Sequence, residues 1–277
     1  VHPLDESASR TLVLENGLEV ILVSDPSVNI SSAAMAIETG SLQDPKEVQG
    51  LAHFLEHMLF LGTEKYPDEG EYSEYLAQNG GYSNAYTAGD HTNYHFEVYP
   101  SAFVGALDRF SQFFIAPLFS PDFAEREVSA VDSEFEKNLE SDVWGTYRLF
   151  AMHALEEHPA NSFNIGNKET LANAKREQLL DFFDRFYSAN RMALSLVSTH
   201  SLDQMEDWVH TYFSPIRNTG RAPLDYPTRY IENKPAVRFI NMEAIEDRRR
   251  LNLYFNTPGI RDDWDAKSAA LVSALLG

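Results

Sequence analysis

His53, Glu56 and His57 fall within the stretch HFLEH, and their types and spacing suit metal-assisted hydrolysis. Two histidines four residues apart lie one turn apart on one face of a helix, where two neutral imidazoles can hold one Zn2+ at about 2.0–2.1 Å each. Glu56 precedes His57 by one residue, so its carboxylate can reach a water in an open zinc position without binding the ion. Zinc lowers the pKa of bound water to about 7, and a nearby carboxylate can take its proton as it attacks a carbonyl. A histidine pair at this spacing is often surface decoration. Here it sits in GLAHFLEHMLFLG, which is otherwise nearly all Ala, Leu, Phe and Met. Burying two imidazoles and a carboxylate there is costly without a compensating partner, and a metal is such a partner.

A catalytic zinc takes three protein ligands and keeps one position open. The chain has no cysteine, so the third ligand must be His, Asp or Glu. Ser120-Pro121-Asp122 is a helix start, with Ser at the N-cap and Pro at the first helical position. The long helix that follows carries an apolar stripe of Phe123, Val128, Val131, Phe135 and Leu139. Glu127 and Glu134, seven residues apart, lie at one edge of that stripe, and Asp132 lies at the other. Glu125, Glu136 and Glu140 point away, as solvated charges do. A pair of glutamates facing the core is where a metal would be met, and spacing alone leaves open which of the two binds it. Glu127 also suits a bland reading, a carboxylate near the helix N-terminus favoured by the dipole.

Several elements must position these groups. RTLVLENGLEVILVSD reads as a hairpin turning at Glu15-Asn16-Gly17, and NISSAAMAIETG as a third strand. After the apolar helix come a short helix in EGEYSEYLAQ, a break at Gly80-Gly81, and two strands in YSNAYTAGDHTNYHFEVY joined near Gly89-Asp90. Helices are expected over about 101–115, from Pro121 and over 175–187, then a strand in MALSLVST and a helix in LDQMEDWVHTYF. His91 and His95 read as packing or hydrogen-bonding residues, because no acid is spaced to complete a ligand set. His153 and His158 end a helix and read as structural. There is no nucleophile elbow and no Gly-rich phosphate loop.

Three ordered segments, HFLEHMLFLGTEKYP, GGYSNAYTAGDHTNYHFEV and EREVSAVDSEFEKN, closely resemble the pitrilysin and insulin-degrading (insulysin) peptidases. The resemblance runs from about residue 10 to the end, and H-x-x-E-H is the inverzincin signature of these enzymes. It implies an α+β fold, a mostly antiparallel sheet with helices packed on one face, and one Zn2+ per chain. It implies that Glu134 is the third ligand and that Glu127 is its functional partner, orienting the ligands. It further implies that Ser83, Asn84, Ala85 and Tyr86 form the edge strand on which a peptide is laid by β-augmentation. Phe60 resembles a wall of the adjoining pocket, and Trp144 and Tyr147 resemble further contacts; core packing suits these three aromatics equally. The ribosylhomocysteine lyases also carry a reversed His-x-x-Glu-His, but their third ligand is cysteine, which this chain lacks. Non-catalytic relatives that serve in assembly have typically lost the metal residues, whereas His53, Glu56, His57 and Glu134 are all present.

The function expected is therefore a zinc endopeptidase acting on peptides and small unfolded proteins. With 277 residues the chain is long for one domain and short for two. A Pro-, Gly- and charge-rich stretch at 218–235 reads as a linker. It divides a catalytic domain, 1–217, from the beginning of a second, truncated domain at 236–277, with strands in AVRFIN and RLNLYFN and the start of a helix. The resemblance implies a missing C-terminal half as partner, supplying further substrate contacts. The formal charge of −20 argues against nucleic acid and anionic membranes as partners. It fits a solvated acidic surface, or an acidic chamber that attracts basic peptides. No stretch approaches the roughly 20 apolar residues of a bilayer span. The expected protein is soluble, periplasmic in preference to cytoplasmic: a start on Val1 rather than Met fits a secreted enzyme whose leader has been removed, although trimming of the sequence explains it equally well.

Overall fold

Alternation is the rule in the central strands, and it decides which face of the sheet is covered. In β3, Ser31–Ile37, the side chains of Ser31, Ala33, Met35 and Ile37 are buried, while Ser32, Ala34 and Ala36 are half-exposed. The same holds in β5, Thr92–Val98, where Thr92, Tyr94, Phe96 and Val98 point inward. In β6, Met192–Ser198, Met192, Leu194, Leu196 and Ser198 do so. A strand with one apolar face demands a layer over that face only.

The computed structural model describes residues 6–222, 224–226, 230, 239–245, 249–254 and 268–276. Six strands form one sheet in the order β1-β2-β6-β3-β5-β4, where β1 is Ala8–Val13, β2 Glu19–Ser24 and β4 Tyr82–Thr87. Only the β2–β6 pair is parallel; the other neighbours are antiparallel. The fold is α+β. The covering helices are α1 Leu51–Met58, α2 Glu71–Gln78, α3 Phe103–Gln112, α6 Arg176–Phe186 and α7 Leu202–Phe213. Phe54, Leu55, Phe103, Phe110, Leu179, Phe182, Val209 and Phe213 from these helices join the inward strand residues in one core.

The β1–β2 hairpin turns at Asn16-Gly17, with Gly17 at φ +85°. Asn16 Nδ2 donates to the carbonyls of Phe213 and Ile216, which fastens the turn beneath the end of α7. α4, Pro121–Asn138, is capped by Ser120 with Pro121 at the first position, although the serine side chain makes no capping bond. The chain breaks near Leu139 and restarts as α5, Asp142–Met152, so the stripe ends early and Leu139 is exposed.

A last helix, α8, covers Ser268–Leu276. Of the two strands expected further along, residues 239–241 and 250–254 are not in strand conformation, and the rest lie outside the described residues. A strand requires a hydrogen-bonded neighbour, and among the described residues these segments have none. Among the described residues no helix is long and apolar enough to cross a membrane.

Candidate metal centre

α1 is only eight residues long, so its position depends on what holds its N-terminus. Gly50 precedes it at φ +90°, and Asp44 reaches back to accept the N–H groups of Gly50 at 2.8 Å and Ala52 at 2.7 Å. Burial pushes the Asp44 carboxyl up to about 8, against the downward pull of those two N–H bonds. The segment after α5 returns to the same point. A Cβ on Gly50 would lie 2.4 Å from the Cα of Gly166, so the two backbones touch because neither residue has a side chain. That contact brings the carbonyl of Ile165 to 2.7 Å from Nδ1 of His53.

His57, one turn on, is held from α4. Its Nδ1 lies 2.6 Å from Oε1 of Glu127. Both imidazoles thus spend Nδ1 on an oxygen acceptor, which places a proton on Nδ1 and makes Nε2 the atom that offers a lone pair to a metal once it is deprotonated. The two Nε2 atoms are 3.3 Å apart. Glu134 Oε2 completes the triangle, 3.7 Å from His53 Nε2 and 3.6 Å from His57 Nε2. Glu127, Val131 and Glu134 share one face of α4, and Val131, which lies between the two glutamates in sequence, is fully buried.

Bonds of about 2.0–2.1 Å at tetrahedral angles set ligand atoms about 3.3–3.4 Å apart. The observed triangle lies within a few tenths of an ångström of that, so the residues present fit a small divalent cation. The donor set, two neutral nitrogens and one carboxylate, is of the kind that holds a catalytic zinc. The Glu134 side chain is 42% exposed against 14% and 23% for the histidines, so the centre opens to solvent on its side.

Without a metal the cluster is electrostatically loaded. Burial alone would lower the pKa of His57, but its hydrogen bond to Glu127 and the nearby Glu134 carboxylate outweigh it and carry the pKa up to about 9. His53 is pushed down by burial first and by the neighbouring charge of His57 second. Glu134 is held below its usual range chiefly by the neighbouring His57 imidazole, 3.6 Å away. Glu56 is buried on the sheet side of α1. Burial raises it to about 7, although the Thr87 hydroxyl, which donates to Oε2 at 2.5 Å, pulls the other way.

The remaining residues singled out from sequence separate by face. β4 is the last strand in the sheet order, with β5 on one side of it. Ser83 and Ala85 are half-buried, together with Thr87, on the helix face that carries the histidines; Asn84 and Tyr86 are exposed on the opposite face. Phe60 is half-buried among Tyr72, Tyr94 and Phe113, at ring distances of 5.2 to 6.2 Å, and so contributes to the core. Trp144 and Tyr147 pack against each other in the open on α5, which removes the core reading for both.

His91 bonds to Asp90, and His95 stands opposite Asn84 and Ala34 on the outer face, away from the metal triangle. His153 Nδ1 lies 2.8 Å from the carbonyl of Leu149, and the buried His158 accepts from the Ala160 N–H. Three contributors carry no signal in the sequence pattern: the Ile165 carbonyl, the Thr87 hydroxyl and the Asp44 cap. The first is main chain, and the other two act across turns that no local periodicity reports.

The family model for Insulinase (Peptidase family M16) matches residues 19–154, a range that contains His53, Glu56, His57, Glu127 and Glu134. A second model, Peptidase M16 inactive domain, matches residues 173–277. The chain is 40% identical over 281 residues to the A-factor-processing enzyme of Saccharomyces cerevisiae, covering 99% of this chain and 27% of that protein. It is 42% identical over 256 residues to the insulin-degrading enzyme of Homo sapiens, covering 90% of this chain and 25% of that protein. The crystal structure of pitrilysin superposes with a TM-score of 0.80 at 33% identity, over 83% of this chain and 25% of that one. The chain thus spans about a quarter of the length of these relatives. With both models of one family matched in order along it, the chain belongs to the insulinase family, peptidase family M16.

Proposed function

We propose that this chain is the catalytic N-terminal part of a zinc-dependent endopeptidase that hydrolyses peptides and small unfolded proteins. His53, His57 and Glu134 hold the metal, Glu56 is the general base and Glu127 orients His57. One observation carries the reading: single donor atoms of His53, His57 and Glu134 fall within 4.8 Å of one another, with Glu56 beside the second histidine. The names of the relatives agree, since one is an insulin-degrading enzyme and another, from Schizosaccharomyces pombe, is named as a zinc protease.

Zinc bound there would polarise the scissile carbonyl and acidify a water. The protein's own groups do the rest. Ile165 and Glu127 keep both imidazoles in the tautomer that offers Nε2. Glu56 would take a proton from that water and pass it on to the leaving amine. We assign β4 as the platform for substrate. An extended peptide added to its free edge would pair through backbone groups that every peptide possesses. Ser83 and Ala85 would then face the metal side, and Asn84 and Tyr86 the outer side. Phe60 would line the inner wall beneath the strand, and Trp144 and Tyr147 would meet residues further along the peptide.

We assign residues 1–217 to the catalytic domain, 218–235 to a linker and 236–277 to the beginning of the next domain. Because the relatives are about four times as long, we assign further carbonyl-polarising donors to sequence beyond this chain. Loss of one such donor costs roughly 10²–10³ in rate. The test separates ligand from base. Glu56→Gln keeps stoichiometric zinc and loses hydrolysis, whereas Glu134→Gln loses zinc as well. Metal-free Glu56→Gln, or normal zinc content in Glu134→Gln, overturns the assignment.

A further inference from the structure

A carboxylate at the end of a glutamate turns about a broad, roughly two-fold torsion, so a base on a helix has no set direction unless something fixes it. In this chain the fixing group comes from the sheet. Thr87 Oγ1 donates to Glu56 Oε2 at 2.5 Å. Thr87 is the last residue of β4, in register with the buried Thr92 of β5.

Its own position is pinned on the far side. The carbonyl of Ala88 accepts the Ser41 N–H at 3.0 Å, and the Ala88 N–H donates to His91 O at 2.8 Å. The carbonyl of Gly89 accepts the Leu42 N–H at 2.9 Å. A Cβ on Gly40 would fall 2.3 Å from the oxygen of Ala88, so the turn that follows Gly40 grips the hairpin with no slack. The hydroxyl that meets Glu56 is therefore held by backbone on both strands and on the turn after β3.

We propose that Thr87 is a positioning residue for the base: it holds Glu56 Oε2 so that Oε1 faces the reacting water, and it ties the base to the strand that carries the substrate. The inference rests on the reading of Glu56 as general base and of β4 as substrate platform. Its physical content is registration. A peptide paired along β4 and the carboxylate that serves its scissile bond are referred to one rigid strand, which removes relative motion between them. Misplacement of a reacting group by about 1 Å can cost 10²-fold in rate.

The experiment uses the full-length enzyme with Thr87→Val, which keeps the shape and removes the hydroxyl, and Thr87→Ala should the valine variant fold poorly. Thr87→Ser restores the donor. Removing the hydroxyl is expected to lower kcat roughly 10–100-fold with KM and zinc stoichiometry close to wild type. Serine is expected to recover most of the loss. Adding Thr87→Val to Glu56→Gln should cost nothing further, since the group it positions is already disabled. A crystal structure of the valine variant should show the Glu56 carboxylate rotated or split.

Wild-type kcat in Thr87→Val beside an inactive Glu56→Gln overturns the positioning role and leaves the base assignment standing. An active Glu56→Gln overturns the base assignment itself. A loss that serine does not recover, or one accompanied by loss of zinc, makes Thr87 a structural residue and also overturns the proposal.

Discussion

Nδ1 of His57 on α1 and Oε1 of Glu127 on α4 are 2.6 Å apart, and this contact ties the two helices together at the metal triangle. Each side chain is about one-fifth exposed, so the bond lies at the edge of the core rather than in water. A carboxylate behind a ligating histidine orients the ring and raises its basicity.

Glu127→Ala is accordingly expected to weaken zinc binding about 10–100-fold, the usual cost of losing such a partner. Glu127→Gln, which can still accept from Nδ1–H, should lose less. Competition against a calibrated chelator reads both. Equal affinity in wild type and Glu127→Ala would return Glu127 to the role of a carboxylate near a helix start.

The pH dependence has a definite sign. In the metal-free protein the folded pKa of His57 is raised from 6.5 to about 9, so its stabilising contribution is complete below 6.5 and lost as pH rises through 9. Asp44 and Glu56 are raised from 3.8 to about 8 and from 4.5 to about 7. Each folded carboxyl retains a proton that the unfolded chain releases, so stability again falls as pH rises across those intervals. All three act in one direction, and the metal-free protein should melt at a lower temperature at pH 9 than at pH 6.5. Zinc affinity should move oppositely, because the ion must displace the His57 proton, with a slope near tenfold per unit below about pH 9. Calorimetric melts of chelated protein across this range check the first part. A His57→Asn variant with the same slope would remove His57 as a source.

Much of this centre is local, and local features are what a sequence displays. His53 and His57 meet because four residues make one helical turn, and Glu127 and Glu134 share a face because seven make two. The choice between those two glutamates needed the family resemblance, since their distances to the histidines depend on how α4 lies across α1. Less visible was the central strand. β6 enters the sheet between β2 and β3, far from both in sequence, and alternation in MALSLVS fixes its burial but not its neighbours. The break between α4 and α5 was also hidden, because Asn138 to Ser141 carry neither Gly nor Pro. Ile165 acts through its carbonyl, which any residue possesses.

That hidden contact gives the third prediction. Gly50→Ala places a methyl 2.4 Å from Gly166 Cα, at a φ of +90° that alanine tolerates poorly. Forced repacking of this kind costs about 1–3 kcal/mol, and the left-handed backbone adds to it. The displaced Ile165 carbonyl should also release His53 Nδ1, so zinc affinity should fall along with stability. Denaturant melts and chelator competition on the same sample separate the two effects. A destabilised variant with unchanged zinc affinity would show that Ile165 does not orient His53.

The last prediction concerns β4 as a platform. Its outer edge has no strand neighbour among the described residues, and Ala85 is at the middle of it, half-buried on the metal side. Proline at this position removes a backbone donor and places a ring where an added strand would pair, yet edge strands are where proline is tolerated. In a full-length, active form of the enzyme, Ala85→Pro should therefore fold, keep one zinc and show a KM raised by roughly tenfold or more, the loss expected for one or two backbone hydrogen bonds to substrate. Thr87 and Glu56 lie beyond the substitution, so kcat at saturating peptide should fall less than kcat/KM. Melting temperature and zinc content establish that the strand is intact. A folded, zinc-loaded Ala85→Pro enzyme with unchanged KM would mean that peptides do not bind along this edge, and the platform would have to be sought elsewhere around the triangle.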